Sequence, residues 1–259
     1  INVTVSLKNA RVSVNNATLD LFVDNTFTIV ANTTPKGLKV TYKPDNSGII
    51  SVDNNGVVKA LKEGNTTIIV SVGDNKVYAE NTTTVTVTVR KIPTEITVNP
   101  ALLDLFVGDE TVINANLTPL GAGNVTFTSS DDSIVTVDNQ GNVIAQGKGT
   151  AIITVSFAGD NKYAAAENKT IKVTVSLNDA RVTVDNDTLD LKVDETYKIN
   201  ATKHPDTIML DITYKSSDNT VASVDKNGIV TAISEGSAII TLEVGDDVIY
   251  AKNSTTVTV

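Results

Sequence analysis

The sequence predicts an all-β protein built as three tandem antiparallel β-sandwich domains in an elongated array. Three observations predict it. One unit recurs three times at an offset of about 85 residues. Inside each unit the apolar residues recur with period 2 and show no sustained helical stripe. Short Val-, Ile- and Thr-rich runs are separated by Gly, Asn and Asp, as strands are by turns.

The repeat is read first from LDLFV (19–23), which returns as LDLFV (103–107) and LDLKV (189–193). Gly64, Gly149 and Gly236 are in register, as are Gly73-Asp74, Gly159-Asp160 and Gly245-Asp246, with Tyr78, Tyr163 and Tyr250 after them. An offset of this size suits a small autonomous domain better than a solenoid repeat. The units are placed at 6–90, 91–175 and 176–259. The opening INVTVSLKNARVSV matches the internal IKVTVSLNDARVTV (171–184), so residues 1–5 are expected to be the end strand of a preceding repeat or the start of the first.

The run after the shared glycine reads NTTIIVSV (65–72), TAIITVSF (150–157) and SAIITLEV (237–244). One face holds Thr66, Ile68, Val70 and Val72, then Ala151, Ile153, Val155 and Phe157, then Ala238, Ile240, Leu242 and Val244. This alternation marks a half-buried strand, and about seven such runs per unit fit a sandwich. VTVSL (173–177) passes from one unit into the next with almost no linker, which favours a semi-rigid rod.

Between two strands of each unit lie DNNG (53–56), DNQG (138–141) and DKNG (225–228). Asp at the first position of a type I turn accepts backbone N–H groups, and Gly at the fourth takes a positive φ. Asp53, Asp138 and Asp225 with Gly56, Gly141 and Gly228 fit those roles. A calcium loop needs alternating oxygen donors and a bidentate Glu. Only one Asp recurs here, and the level of Glu63 becomes Lys148 in the second unit. The stretch reads as a turn, with calcium as the alternative, and no cofactor is expected.

At these residues a resemblance appears. The pattern S-V-D-x-x-G-x-V-x-A-x-x-x-G, followed by x-A-I-I-T, resembles the group 2 bacterial immunoglobulin-like domain. The tails GDNKVYAENTTTVTV, GDNKYAAAENKTIKVTV and GDDVIYAKNSTTVTV are similar to related repeats with a G-D-x-x-Y hairpin. The resemblance implies tandem repeats of adhesins and other surface proteins, with the Asn- and Thr-rich composition most like the adhesin-like proteins of methanogenic archaea. It implies an extracellular, cell-surface location, and such repeats also serve as spacers in large secreted enzymes.

Bulk properties narrow the function. Lys plus Arg is 21 against 30 Asp plus Glu, a net charge of −9. A basic face for nucleic acid is therefore not expected. No apolar run approaches the length of a membrane span. The absence of Cys removes disulfides, thiolate metal sites and Cys nucleophiles. The single imidazole, His204, lies in the TKHPD loop of one unit and lacks a recurrent partner for a hydrolase triad. Asp20, Asp104 and Asp190, candidates for paired carboxylates, sit between leucines and turn outward. An enzyme is not expected.

Tyr78, Tyr163 and Tyr250 recur in register and suit packing better than a glycan platform. Eleven N-x-[ST] sequons begin at Asn2, Asn16, Asn32, Asn65, Asn81, Asn116, Asn124, Asn168, Asn186, Asn200 and Asn253 and mark acceptors for N-glycosylation in an exported chain. Lys43 and Lys215, with Asn81, Asn168 and Asn253, raise the idea of Lys–Asn cross-links, which Thr128 interrupts in the second unit. Loops 34–38, 119–123 and 203–210 lie at one level and vary between units, so Lys36, Leu120 and His204 are the candidate binding positions. The expected function is a semi-rigid stalk that projects a distal region or itself contacts the surface of another cell, through glycan or protein. A glycan- or protein-binding module and an enzyme spacer are the alternatives. The chain is expected to be a monomer.

Overall fold

A computed structural model describes residues 1–259. All of its regular structure is strand, without a helix long and apolar enough to cross a membrane. Contacts divide the chain into two compact units. The first holds Ile1–Thr97, Asn116–Val125 and Ser156–Asn168; the second holds Val98–Ala115, Thr126–Val155 and Lys169–Val259. The division passes through the second sequence repeat.

In the first unit, four strands pair in the order Thr18–Phe22, Asn81–Arg90, Gly64–Val72 and Val40–Pro44. A second sheet orders Thr26–Thr28, Val57–Ala60 and Ile50–Val52. Arg11–Val14 pairs with Ala31–Thr34. The period-2 pattern decides which side faces inward: Ile68, Val70, Val85 and Val87 are fully buried and meet Ile50 and Val58 from the other sheet. Each such side chain contributes roughly 1.5–3 kcal/mol when removed from water. Residues 1–7 lie outside any strand, and the first pairing is the bridge from Lys8 to Tyr78.

The second unit carries a four-stranded and a three-stranded sheet from the second repeat and two three-stranded sheets from the third. In the third, the early parallel strand is reduced to a bridge from Thr188 to Thr258. Leu102–Phe106, Lys169–Ser176, Gly149–Ser156 and Thr126–Ser129 form one sheet, and Glu110–Val112, Asn142–Ala145 and Val135–Val137 another. Further along, Thr213–Ser216, Ile239–Val244 and Asn253–Thr258 face Thr196–Lys198, Ile229–Ala232 and Ala222–Val224. Ile240, Leu242, Val230 and Ala222 fill the space between them.

The sheets are not purely antiparallel. Thr18–Phe22 pairs in parallel with the last strand, from Thr18 opposite Thr86 to Phe22 opposite Arg90. Leu102–Phe106 does the same, from Leu102 opposite Lys172 to Phe106 opposite Ser176. A parallel pair needs a long crossover, and here nearly the whole repeat supplies it. The pairing is therefore invisible to any local pattern.

The connectors are one residue long. Asn81–Arg90 ends one residue before Ile92, whose N–H already donates to the Lys162 carbonyl at 2.9 Å. Lys169–Ser176 ends one residue before Asn178, whose N–H donates to Ile249 at 2.8 Å.

Candidate functional site

Asp53, Asp138 and Asp225 build the same turn. Asp53 Oδ1 accepts the N–H groups of Asn55 and Val57, both at 2.8 Å. Asp138 accepts Gln140 at 2.9 Å and Asn142 at 2.8 Å, and Asp225 accepts Asn227 and Ile229, both at 2.8 Å. The side-chain amide of Asn142 lowers the Asp138 pKa first, while the Ile229 N–H leads for Asp225. Gly56, Gly141 and Gly228 close the turns at φ values of 79°, 84° and 76°. Oδ1 of each carboxylate is thus engaged by two N–H groups of its own turn. No group of three or more His, Asp or Glu side chains converges on a metal position.

An aromatic ring covers each closing glycine. Cβ atoms on Gly56 and Gly228 would come within 2.8 Å of Tyr42 and Tyr214, and one on Gly141 would come within 3.2 Å of Phe127. Burial first, then the nearby Asp53 or Asp225, pushes the Tyr42 and Tyr214 phenols above their usual range.

Beside Tyr214 opens a groove of about 920 Å³, lined by Lys203, Asp206, Asp211, Tyr214, Asp225 and Lys226 among others. Its rim is the segment 203–210, of which Lys203 and His204 end a strand and 205–210 form the loop. From Pro205 to Tyr214 is nine residue steps, against seven from Pro35 to Tyr42 and eight from Pro119 to Phe127. Ile208, 2% exposed, anchors the loop, while Lys203 Nζ donates to the Leu210 carbonyl at 2.8 Å. At the tip Met209 is 96% exposed, and Leu120 in the matched loop of the second repeat is 98% exposed. Two large apolar side chains held almost wholly in water have no packing role in the fold. Lys36, in the first repeat, is exposed as well. The peptide before Pro35, Pro119 and Pro205 is cis in each loop, a shared feature that the X-Pro dipeptides alone did not reveal.

His204 is not in a loop. It ends the strand Ala201–His204 opposite Arg181, with Nε2 3.3 Å from the Thr183 hydroxyl. The Pro205 that follows suggests a loop, but the strand persists up to it because pairing with Arg181–Val184 outweighs the local signal. Asp20, Asp104 and Asp190 are exposed, and Asp20 lies 3.6 Å from Arg90 across the parallel pair.

Most sequon asparagines are exposed. Asn81 and Asn253 differ: they are half-buried, and their Oδ1 atoms accept the N–H groups of Val12 at 3.0 Å and Val182 at 3.2 Å. These amides join the first strand of a repeat to its last, which gives them a structural task. The Lys–Asn cross-link idea meets a register problem. Lys43 lies opposite Ile69, which lies opposite Thr84, three positions from Asn81.

Sequence reasoning passed over the carboxylates of the Gly-Asp pairs. Asp74 Oδ1 accepts the N–H groups of Lys76, Val77 and Tyr78 at 2.8–3.0 Å, and these bonds, led by Val77, lower its pKa to about 2. Asp160 and Asp246 cap the matched turns. Tyr78, Tyr163 and Tyr250 are half-buried and bridge through their backbones to Lys8, Ile92 and Asn178.

The bacterial Ig-like domain (group 2) family matches residues 7–79, 92–168 and 178–253. The chain belongs to this family and carries three of its domains in tandem. An uncharacterized protein of Clostridium acetobutylicum is 32% identical over 151 residues, 56% of this chain and 15% of that protein. The chain thus spans about a seventh of its curated relative. Among solved structures, the S-layer protein rSbsC(31-844) is 16% identical over 97% of this chain and 40% of its own, with a TM-score of 0.36. Drosophila N-cadherin EC1-3 is 16% identical over 94% and 98%, with a TM-score of 0.34.

Proposed function

We propose that the chain is a non-enzymatic, load-bearing stalk segment of an extracellular, cell-surface adhesin-like protein, and that its variable loops make the adhesive contacts. The carrying observation is the parallel pairing of Thr18–Phe22 and Leu102–Phe106 with the last strands of their repeats. Tension along the chain draws the early strand backward and the last strand forward. In a parallel pair those pulls run along the strands, so the hydrogen bonds of the register are loaded together rather than one at a time. One-residue connectors pass the load on with little slack.

The adhesive part of the reading is supported by the extended loop that follows His204, its groove, and the exposed Met209 and Leu120. The surface of another cell, through glycan or protein, is the partner we infer. The Asn- and Thr-rich composition supports a source among methanogenic archaea, while the curated relative is clostridial. A second reading, a spacer of a large secreted enzyme, uses the same connectors but leaves the loops without a task.

Binding of the labelled, non-glycosylated chain to a glycan array and to whole microbial cells, with and without calcium, separates the two. Saturable binding that Met209→Asp or Leu120→Asp removes supports adhesion. Binding no greater than that of an unrelated immunoglobulin-like control, in every condition, overturns it and leaves the spacer.

A further inference from the structure

Within the first compact unit, Lys162 of the second repeat reaches the first. Its Nζ lies 2.8 Å from Asp24 Oδ2 and 5.6 Å from the centroid of Tyr163. Asp24 sits in the turn after LDLFV at φ 70°, where its matched residues are Gly108 at 92° and Asp194 at 72°. Lys162 sits in the Gly-Asp turn that Asp160 caps through the N–H groups of Lys162 and Tyr163. Both backbones are therefore set by hydrogen-bonded turns, and most of the ordering cost of the pair falls on the long Lys side chain. Lys162 holds the Asp24 carboxyl below its usual range, and Lys59 adds to this from the same repeat.

The next junction, inside the second compact unit, uses other chemistry at the same positions. Gly108 removes the carboxylate, and Val248 and Ile249 occupy the level of the lysine. There the Asn178 side-chain amide donates to the Val107 carbonyl at 2.9 Å and to Ile249 at 3.3 Å. One connector is latched by charge and the other by a neutral amide.

We infer that the junction between the first and second repeats is a salt-sensitive latch made by Asp24 and Lys162, and that the junction between the second and third, held by Asn178, is insensitive to salt. Both partners of the first pair are about half exposed, at 54% and 41% of their side-chain areas, so counterions reach them. Raising ionic strength from about 0.01 M to about 1 M shortens the screening length from about 30 Å to about 3 Å. That weakens the ion pair and leaves the amide bond unchanged. The inference goes beyond the stalk reading by giving the stalk unequal joints, and its test does not depend on whether the chain binds cells.

The chain has no Cys, so introduced cysteines label uniquely. Spin-label pairs at Lys62→Cys with Asn124→Cys, both in the first compact unit, and at Asn139→Cys with Lys226→Cys, both in the second, report the two junctions as distance distributions. High salt, Asp24→Asn and Lys162→Gln should each broaden the first distribution. The expected shift is roughly two- to fivefold in the ratio of latched to open junctions, the range open to an exposed ion pair. Salt should leave the second distribution unchanged, whereas Asn178→Ala should broaden it. A first distribution indifferent to salt and to both substitutions overturns the inference, as does equal broadening of both junctions by salt. Neither Asp24→Asn nor Lys162→Gln alters a core residue, and unchanged melting of these variants separates loosening from unfolding.

Discussion

The backbone of Gly228 lies against the ring of Tyr214, so closely that a Cβ there would stand 2.8 Å from Cε1 and Cζ. The same contact joins Gly56 to Tyr42, and Gly141 to Phe127. The turn that looked most like a ligand loop has an Asp cap on one side and an aromatic ring packed on the other.

Alanine at Gly228 or Gly56 meets both a positive φ and the ring. Each substitution should destabilise its repeat by about 1–3 kcal/mol. Urea denaturation checks this. Gly37→Ala is the control for φ alone, since at φ 82° nothing lies within 4 Å of its Cβ position, and it should cost less.

Asp74 links stability to acid. Its pKa falls from an unfolded value near 3.8 to about 2. Its contribution is therefore fully present above about pH 4 and is lost as the pH drops through about 2. Carboxyl chemical shifts should place its titration near pH 2, and Asp74→Asn should flatten that part of the acid-unfolding curve. Titration near pH 4 would remove the three backbone bonds from the account.

Asn81 and Asn253 should matter for stability rather than for glycosylation. Replacing either with Ala leaves the Val12 or Val182 N–H without its acceptor, at a cost of about 1–3 kcal/mol. Glycopeptide mapping of chain made in a glycosylating host should find sugar at exposed sites such as Asn16 and Asn116 before these two.

Met209→Asp and Leu120→Asp should leave the melting temperature within about 2–4 °C, since surface changes away from caps and cores usually stay within ±0.5 kcal/mol. A large loss of stability in either variant would mean that the side chain packs, and would remove it from the contact surface.

The strands were legible where one face is buried. Ile68, Val70 and Val72 alternate with polar residues because the sandwich buries every second position, and they lie at 0–1% exposure. The Asp-x-x-Gly turns were legible because their hydrogen bonds are local. The parallel partner of Thr18–Phe22 was not, because Thr86 lies some 68 positions away and no short-range pattern encodes it. His204 misled through the proline beside it. Asp24 and Lys162 could not be paired from the sequence, since one-residue connectors say that repeats are close without saying which turn meets which. The groove beside Tyr214 had one readable sign, the two extra residues of its loop.

The central proposal is that the three repeats fold separately and carry tension through sheared strand pairs. Stretching the chain between its termini in a single-molecule force experiment tests it directly. The account predicts three unfolding events, each releasing roughly 300 Å of chain, as about 85 extended residues require. The first and second repeats should resist most, because each has its five-residue parallel register. Two larger events following the compact-unit division, or gradual extension without discrete peaks, would contradict it.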